Sequence, residues 1–338
     1  MENGLMGIQS KKARIVSIGS YLPERILTNY ELEKMVDTSD EWIFTRTGMR
    51  ERRIARPDEY TSDMAVAASQ KALKEANLSA NDLDLIIVAT LTPDFIFPST
   101  AAILQKHLKA THAAAFDLQA ACTGFIYGLS AAKAFIESGI YKNILLVASE
   151  KLSSIVNYKD RNTCVLFGDG AAACVISDKG PGLHIRHTNL GADGNEADLL
   201  MLPAGGSRRP ASRETVDEGL HYILMEGKEV FKHAVRRMES AAEECIKALN
   251  LKEEEISWLI PHQANERIID TIAKRFNFPM EKVYKTVHKY GNTSASSIGI
   301  ALNDLINDYK ITSGQHMLLV AFGAGLTWGA AILTQIEE

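Results

Sequence analysis

One interval recurs along this chain and limits its folds more than any other feature. "ALKEANLSANDLDLIIVAT" is answered by "CIKALNLKEEEISWLIPHQ", with Leu78 over Leu251, and "NILLVASE" by "HMLLVAFG", with Leu145 over Leu318; the two pairs share one offset in the numbering. A third pair, "FGDGAAACVI" from Phe167 and "FGAGLTWGAAIL" from Phe322, has a shorter offset, which implies about 18 additional residues just before Phe167. All α/β units share composition, so one such match says little. An offset kept from the pair at Leu78 to the pair at Leu145 says that one unit was used twice.

Within each unit, apolar runs of strand length ("LDLIIVAT", "AAAFDLQAA", "NILLVAS", "AACVIS", then "ISWLIPH", "HMLLVAF", "AAILTQI") alternate with helical stretches such as "SDMAVAASQKALKEAN". Such alternation favours α/β layering with largely parallel strands. Two similar βαβ-rich halves are expected, divided as residues 1–180 and 181–338, with no low-complexity linker between them. At 338 residues and 46 % hydrophobic, the chain can bury a sizeable core.

A net charge of −5 argues against nucleic acid as the main partner, because a broad basic surface is missing. The start, "MENGLMGIQSKK", has no apolar core of signal-peptide length, and no run approaches the ~20 apolar residues of a membrane span. Cys122, Cys164, Cys174 and Cys245 show neither CxxC nor metal-ligand spacing. A cytoplasmic protein with reduced thiols and no bound metal is expected.

Cys122 stands where the strand-like "AAFDLQAA" gives way to the helical "TGFIYGLSAAKAFIESG". Unpaired N–H groups and the positive end of the helix dipole favour thiolate there; the alternative is a small buried hydrophobe, a common fate of free cysteine. The other three cysteines lie in apolar runs and read as core. The repeat offset carries Cys122 to the neighbourhood of Ala295, in "HKYGNTSASSIGIAL", which contains Asn292. His262, in "WLIPHQANERII", sits where a strand ends, the usual ligand side of an open α/β sheet. Alone, His262 could be bonded to backbone, and Asn292 could be a helix cap or turn residue. Together, a thiol and two neutral donors suit covalent acyl chemistry. A papain-like hydrolase shares the order of the three, with its histidine about as far beyond its cysteine as His262 is beyond Cys122, but lacks the "AACTGF" context inside a duplicated α/β chain.

Six ordered motifs then carry a resemblance from about Ala13 onward: "GSYLPERILTNYELEKMVDTSDEWIFTRTGMRERRIA", "AACTGF", "DRNTCVLFGDGAAA", "PHQANERII", "GNTSASSIGIAL" and "AFGAGLTWGAA". The chain resembles the β-ketoacyl-acyl-carrier-protein synthase III family, thiolase-superfamily condensing enzymes that start type II fatty-acid synthesis. That resemblance implies a thiolase-like fold with pseudo-twofold symmetry, layered α-β-α-β-α, and a homodimer. It implies that Cys122 takes an acyl group from a short acyl-CoA, which is a substrate, no separate cofactor being involved. Malonyl-acyl-carrier-protein then loses CO2 while His262 and Asn292 stabilise its enolate oxygen. The backbone N–H groups of Cys122 and Ala324 would hold the acyl oxyanion. Where the family commonly reads "FGGG", this chain reads "FGAG"; a positive φ at Ala324 would be costly, so an ordinary φ is expected.

The same resemblance points to Trp42, Arg46 and Arg161 for the nucleotide of CoA and to Asn265 for its pantetheine or a water beside His262. Phe167 and Phe231 would line the approach, and Phe97 would close the primer pocket of the dimer mate. Carrier protein is acidic, and on "GKEVFKHAVRRMESAAEECIKAL" the residues Lys228, Lys232 and Arg236 share a face apart from an apolar stripe, with Arg237, Arg267, Lys274 and Arg275 extending it. Sister condensing enzymes of polyketide or quinolone type share the triad. A degradative thiolase needs a second catalytic cysteine that "FGAGLTWGAAIL" lacks, and an intact Cys–His–Asn set argues against a silent scaffold.

Overall fold

The computed structural model describes residues 11–337; most of the opening "MENGLMGIQSKK" lies outside them. Nine strands form the main sheet: β1 (Arg14–Tyr21), β2 (Leu85–Ala89), β3 (Ala114–Leu118), β4 (Asn143–Glu150), β5 (Gly170–Ser177), β6 (Gly182–Ala192), β7 (Ile256–Pro261), β8 (His316–Gly323) and β9 (Thr327–Ile336). Seven helices matter below: α1 (Asp40–Thr47), α2 (Thr61–Glu75), α3 (Thr100–Leu108), α4 (Gly124–Glu137), α5 (Gly227–Ala248), α6 (Glu266–Arg275) and α7 (Ser296–Asp308).

The strand order is β7-β8-β9-β6-β1-β5-β4-β2-β3. It divides at the short pairing of β1 with β6, where Arg14 faces His184 and Ile15 faces Leu183. On one side stand β3-β2-β4-β5-β1, and on the other β7-β8-β9-β6, the same succession with its outermost strand reduced to one bridge between Leu259 and Val283. β4 and β8 begin and end at the offset that the sequence repeat shows, and α4 and α7 keep nearly the same spacing. The additional residues before Phe167 fall in the 151–169 connection between β4 and β5, where β8 and β9 need only a turn at 324–326.

Strand side chains alternate between two helical layers. Ile86, Val88, Leu145 and Val147 pack against α2 and α3. Leu85, Ile87, Ile144 and Leu146 turn the other way, onto Phe125, Ile126 and Leu129 of α4 and Ile298, Leu302 and Leu305 of α7. Met317 and Leu319 of β8 reach the same central pair of helices from the opposite side, while Leu318 and Val320 face α5 and α6. Strands buried on both faces explain the nearly unbroken apolar runs, and the layering is α-β-α-β-α. Cys164, Cys174 and Cys245 are all buried within these clusters. No helix among the described residues is long and apolar enough to cross a membrane.

Candidate active site

Cys122 lies just past β3, in the one-turn segment Ala121–Thr123 that leads into α4. Ala121 is held at φ 45°, in the left-handed region that costs a residue with a Cβ on the order of 1–3 kcal/mol. Its counterpart at the repeat offset, Ser294, is at φ 52°. The same strained turn is therefore built twice, once to present Cys122 and once beside Asn292. Gly323 ends β8 against the first of these turns. A Cβ there would lie 2.8 Å from the Cys122 nitrogen, so only glycine lets the strand end approach the thiol's backbone. Ala324 follows with no positive φ; the connection takes that conformation one residue later, at Gly325 (φ 134°), which is why alanine is accepted.

His262 directly follows β7, and its N–H donates to Val320 O at 2.8 Å. Its ring is buried, and Nδ1 meets Ser297 Oγ of α7 at 2.6 Å. The Ser297 hydroxyl also accepts the Gln263 N–H at 3.3 Å. Gln263 staples this corner: its amide donates to the Pro261 and Tyr284 carbonyls and accepts from the Thr286 and Val287 N–H groups. Asn292 Oδ1 accepts the Ser294 N–H at 2.8 Å, which leaves the amide Nδ2 as the end free to donate. Its backbone is pinned to the 166–168 segment, receiving Gly168 N–H at 3.0 Å and donating to Leu166 O at 2.8 Å. Fully buried Arg52 holds the start of that segment through the Val165 carbonyl.

The segment from Asn292 to Ser297, which runs into the start of α7, brings the three candidates together. Asn292 opens it, the Ser294 hydroxyl lies beside the Cys122 thiol, and Ser297 carries the contact to His262. Burial then governs the charges. It drives His262 down to about 3, so the imidazole is neutral. It pushes the Cys122 thiol up to about 12; the Ser294 hydroxyl and the backbone N–H offset part of this, and the charge of Glu150 adds to it. The expectation of a resting thiolate at the helix start is thereby corrected: desolvation outweighs the favourable N–H groups at a residue only 9 % exposed.

On the flank, the Trp42 ring has the guanidinium of Arg46 4.7 Å and that of Arg161 4.9 Å from its centroid, so the three residues expected at CoA do come together. Arg161, on the 151–169 connection, also donates to Asp37 O at 2.9 Å. Asn265 Oδ1 caps α6 by accepting the Arg267 N–H, and its Nδ2 donates one hydrogen to Arg46 O at 3.2 Å, which leaves the second amide hydrogen for a substrate or water. It joins α6 to α1. Phe167 is buried and Phe231 half-buried, in the same apolar cluster as Phe322 and Trp42. Phe97 is 84 % exposed, beside exposed Phe95 and Ile96, and covers nothing of its own chain's core.

Lys228, Lys232 and Arg236 are exposed on α5, as are Arg267, Lys274 and Arg275 on the adjoining α6. Two are tied locally, Lys232 to Glu229 at 2.6 Å and Arg275 to Glu239 at 2.8 Å. Arg237 does not belong with them: it lies over the Trp328 ring at 4.2 Å and pairs with Asp193 at 2.9 Å. A stacked, paired guanidinium is spent inside the fold. Sequence reasoning missed Ser294, Ser297, Gln263 and Glu150; the serines sit in "TSASS", which reads as an ordinary helix start.

A doubled α/β unit with a buried cysteine from one half and a neutral histidine and asparagine from the other defines a thiolase-fold condensing enzyme. Residues 116–194 match the family model for 3-oxoacyl-[acyl-carrier-protein (ACP)] synthase III, and residues 246–335 match its C-terminal model. The chain is 62 % identical to the beta-ketoacyl-[acyl-carrier-protein] synthase III of Chlamydia caviae, over 97 % of this chain and 98 % of that protein. The crystal structure of the Aquifex aeolicus 3-oxoacyl-[acyl-carrier-protein] synthase III superposes with a TM-score of 0.88 at 49 % identity, covering 95 % of this chain and 99 % of that one. The priming β-ketosynthase of the R1128 polyketide pathway reaches 0.89 at 34 % identity, covering 99 % and 100 %. The chain belongs to the β-ketoacyl-[acyl-carrier-protein] synthase III family and is an acyltransferase of the condensing type.

Proposed function

We propose that this protein makes the first carbon–carbon bond of fatty-acid synthesis, joining a short acyl group from acyl-CoA to a malonyl unit on acyl carrier protein. The observation that carries this reading is the convergence of Cys122, His262 and Asn292 on one buried segment with both donors uncharged. Cys122 sulfur attacks the thioester carbonyl and CoA leaves as the thiol. The Cys122 and Ala324 N–H groups hold the oxyanion. Malonyl-acyl-carrier-protein then replaces CoA; its carboxylate departs as CO2, and the electron pair left on the α-carbon is spread onto the thioester oxygen. Neutral donors suit that step, because an enolate oxygen needs hydrogen bonds and no proton need be removed. Asn292 offers Nδ2. If the Ser297 hydroxyl donates its proton to Nδ1 of His262, Nε2 carries the hydrogen and can donate too. The α-carbon attacks acyl-Cys122 and releases the β-ketoacyl product.

Trp42, Arg46 and Arg161 would receive the CoA nucleotide, and Asn265, tied to Arg46 O by one amide hydrogen, would offer the other to the pantetheine or to a water beside His262. Phe167 and Phe231 would line the approach, and Phe97 would reach the primer pocket of a second copy in a homodimer. The exposed bases of α5 and α6, without Arg237, would meet the acidic carrier protein, in the cytoplasm. No cofactor takes part. Likeness to a priming polyketide ketosynthase supports a second reading that differs in primer or donor and keeps the same site. Mass-detected acyl transfer from acetyl-CoA, followed by malonyl-acyl-carrier-protein, tests both. Acylation should map to Cys122 and vanish in Cys122→Ser, and His262→Ala and Asn292→Ala should lose condensation by about 100-fold or more while acylating far better than that. Equal loss of both half-reactions would refute the assigned roles, and a preference for another primer or for malonyl-CoA would select the second reading.

A further inference from the structure

Among the described residues, two carboxyl groups are wholly buried, Asp169 and Glu150. Asp169 is fully used: its oxygens accept from Ala55 N–H and from the N–H and hydroxyl of Ser153. Glu150 is not. It ends β4, and its Oε2 accepts from the Thr90 hydroxyl (3.1 Å), the Leu91 N–H (3.1 Å) and the Thr92 hydroxyl (2.8 Å). Its Oε1 has no partner, and neither has the Ser294 hydroxyl, although both atoms are buried. The two residues are neighbours. Ser294 lies beside the Glu150 carboxyl and the Cys122 thiol at once and favours the ionised form of each, without a hydrogen bond of ordinary geometry to either.

The doubled fold explains the placement. Glu150 and Gly323 are the last residues of β4 and β8 and occupy equivalent positions in the repeat. Gly323 runs into the turn at Cys122, so Glu150 runs into the matching turn at Ser294, where the strained φ of 52° places the hydroxyl. One half spends this position on a close backbone approach and the other on a carboxyl group. A buried, half-satisfied carboxyl is costly, so its retention calls for a use.

We propose that Ser294 and Glu150 form a proton relay for Cys122. As the sulfur attacks an acyl carbon, the thiol proton passes to the Ser294 oxygen, whose own proton passes to Glu150 Oε1. The bond between the acyl carbon and the donor sulfur then breaks, and the proton returns through the same two groups to the departing thiolate. Acyl-Cys122, a free donor thiol and a carboxylate remain. The relay rests on Cys122 being the acyl-carrying nucleophile.

Two considerations support Glu150 over His262 for this task. Burial leaves His262 a very weak base, whereas it lifts Glu150 to about 7, where a base is matched to neutral pH. The other charged groups nearby are turned away. Lys151, the residue just past the strand, bonds the Arg56, Pro57 and Glu59 carbonyls, and Asp169, before β5, is satisfied as above. The 90–92 and 292–297 segments contribute no titratable side chain, which leaves Cys122 as the titratable group facing Glu150 from the α4 side.

Alkylation of Cys122 by iodoacetamide, followed from mildly acid to mildly alkaline pH, tests the relay without any acyl substrate. In the wild type the rate should rise through an inflection near neutrality as Glu150 ionises. Glu150→Gln and Ser294→Ala should each alkylate about tenfold or more slowly at neutral pH and lack the inflection, and the double variant should be no slower than either single one, as expected for groups acting as a unit. A merely repulsive carboxylate predicts the opposite sign, since removing its charge would ease thiolate formation. Glu150→Gln alkylating as fast as wild type or faster, or keeping the inflection, overturns the relay. Ser294→Ala, which deletes one hydroxyl, keeps the test decisive should Glu150→Gln fail to fold. Acyl transfer to wild-type Cys122 is scored separately, so failure of the relay leaves the proposed function standing.

Discussion

Burial moves Cys122 and His262 in opposite directions on the pH scale and thereby keeps both uncharged at neutrality. For His262 the consequence extends to stability. Its folded pKa, about 3, lies below the unfolded value, so under acid the unfolded chain binds a proton that the folded chain refuses. Stability from this residue is present above the unfolded pKa near 6.5 and is lost as pH falls toward 3, by up to about 1.4 kcal/mol per pH unit. Glu150 works the other way: its pKa is raised to about 7, so its burial costs least in acid and most as pH rises through 7. A difference measurement isolates His262. Urea unfolding of wild type and His262→Asn should show the wild type's advantage at pH 7 shrinking by about 2 kcal/mol at pH 4.5; an unchanged difference would dispose of the neutral, desolvated imidazole. At this scale Cys122, His262 and Asn292 could be picked out as candidates because the repeat and the strand end pointed at them. Ser294, Ser297 and Glu150 stayed hidden because their roles arise between segments far apart in the chain, Glu150 with Ser294 and His262 with Ser297, and no local pattern encodes such contacts.

Elements position the site by where they stop. β8 ends on Gly323 against the Cys122 backbone, and the next connection reserves its positive φ for Gly325. Gly323→Ala would force a Cβ to within 2.8 Å of the Cys122 nitrogen. The turn must then move by several tenths of an ångström, and acyl transfer should fall by about 100-fold, as misplaced reacting groups do. Ala324→Gly, with no strain to relieve, should stay within about twofold of wild type on the same reasoning. Comparable activity in both variants, followed by mass-detected acylation, would show that close approach at Gly323 does not matter. All seven strand runs read from sequence are present; six are nearly all apolar because they are buried on both faces, and β3, at the sheet edge, is apolar although Ala114 and Phe116 are exposed. β1 and β6 escaped notice for the converse reason. They meet at the seam, and "RIVSIGSY" and "GLHIRHTNLGA" mix polar with apolar residues on partly exposed faces. The weakened outermost strand of the second half, a lone bridge at Val283, could not be anticipated from a repeat that shows where strands match and not where one fades.

At the scale of the whole molecule, the described residues leave one sheet edge unprotected. β3 ends the order of nine strands with Ala114 and Phe116 exposed, and no Lys or Pro interrupts it as edge strands that avoid pairing usually require. In the same half stand Phe95, Ile96 and Phe97, all more than half exposed. An open edge with a large apolar loop needs cover, and a second copy pairing β3 to β3 would continue the sheet while carrying each Phe97 toward the other's primer pocket. The proposed dimer and the proposed trans contribution of Phe97 therefore stand on the same surface and can be tested together. Phe116→Lys places a charge on the edge without touching either core layer. It should sediment as a folded monomer where wild type sediments as a dimer, and its condensation rate should drop at least about tenfold because each site loses a pocket wall. Phe97→Ala should leave the dimer intact and change the order of preference among primers of different length, since a wall has been shortened. Wild-type protein that is monomeric at micromolar concentration, or a Phe116→Lys monomer with full condensation activity, would mean that the site is complete within one chain and that the exposed edge serves some other purpose.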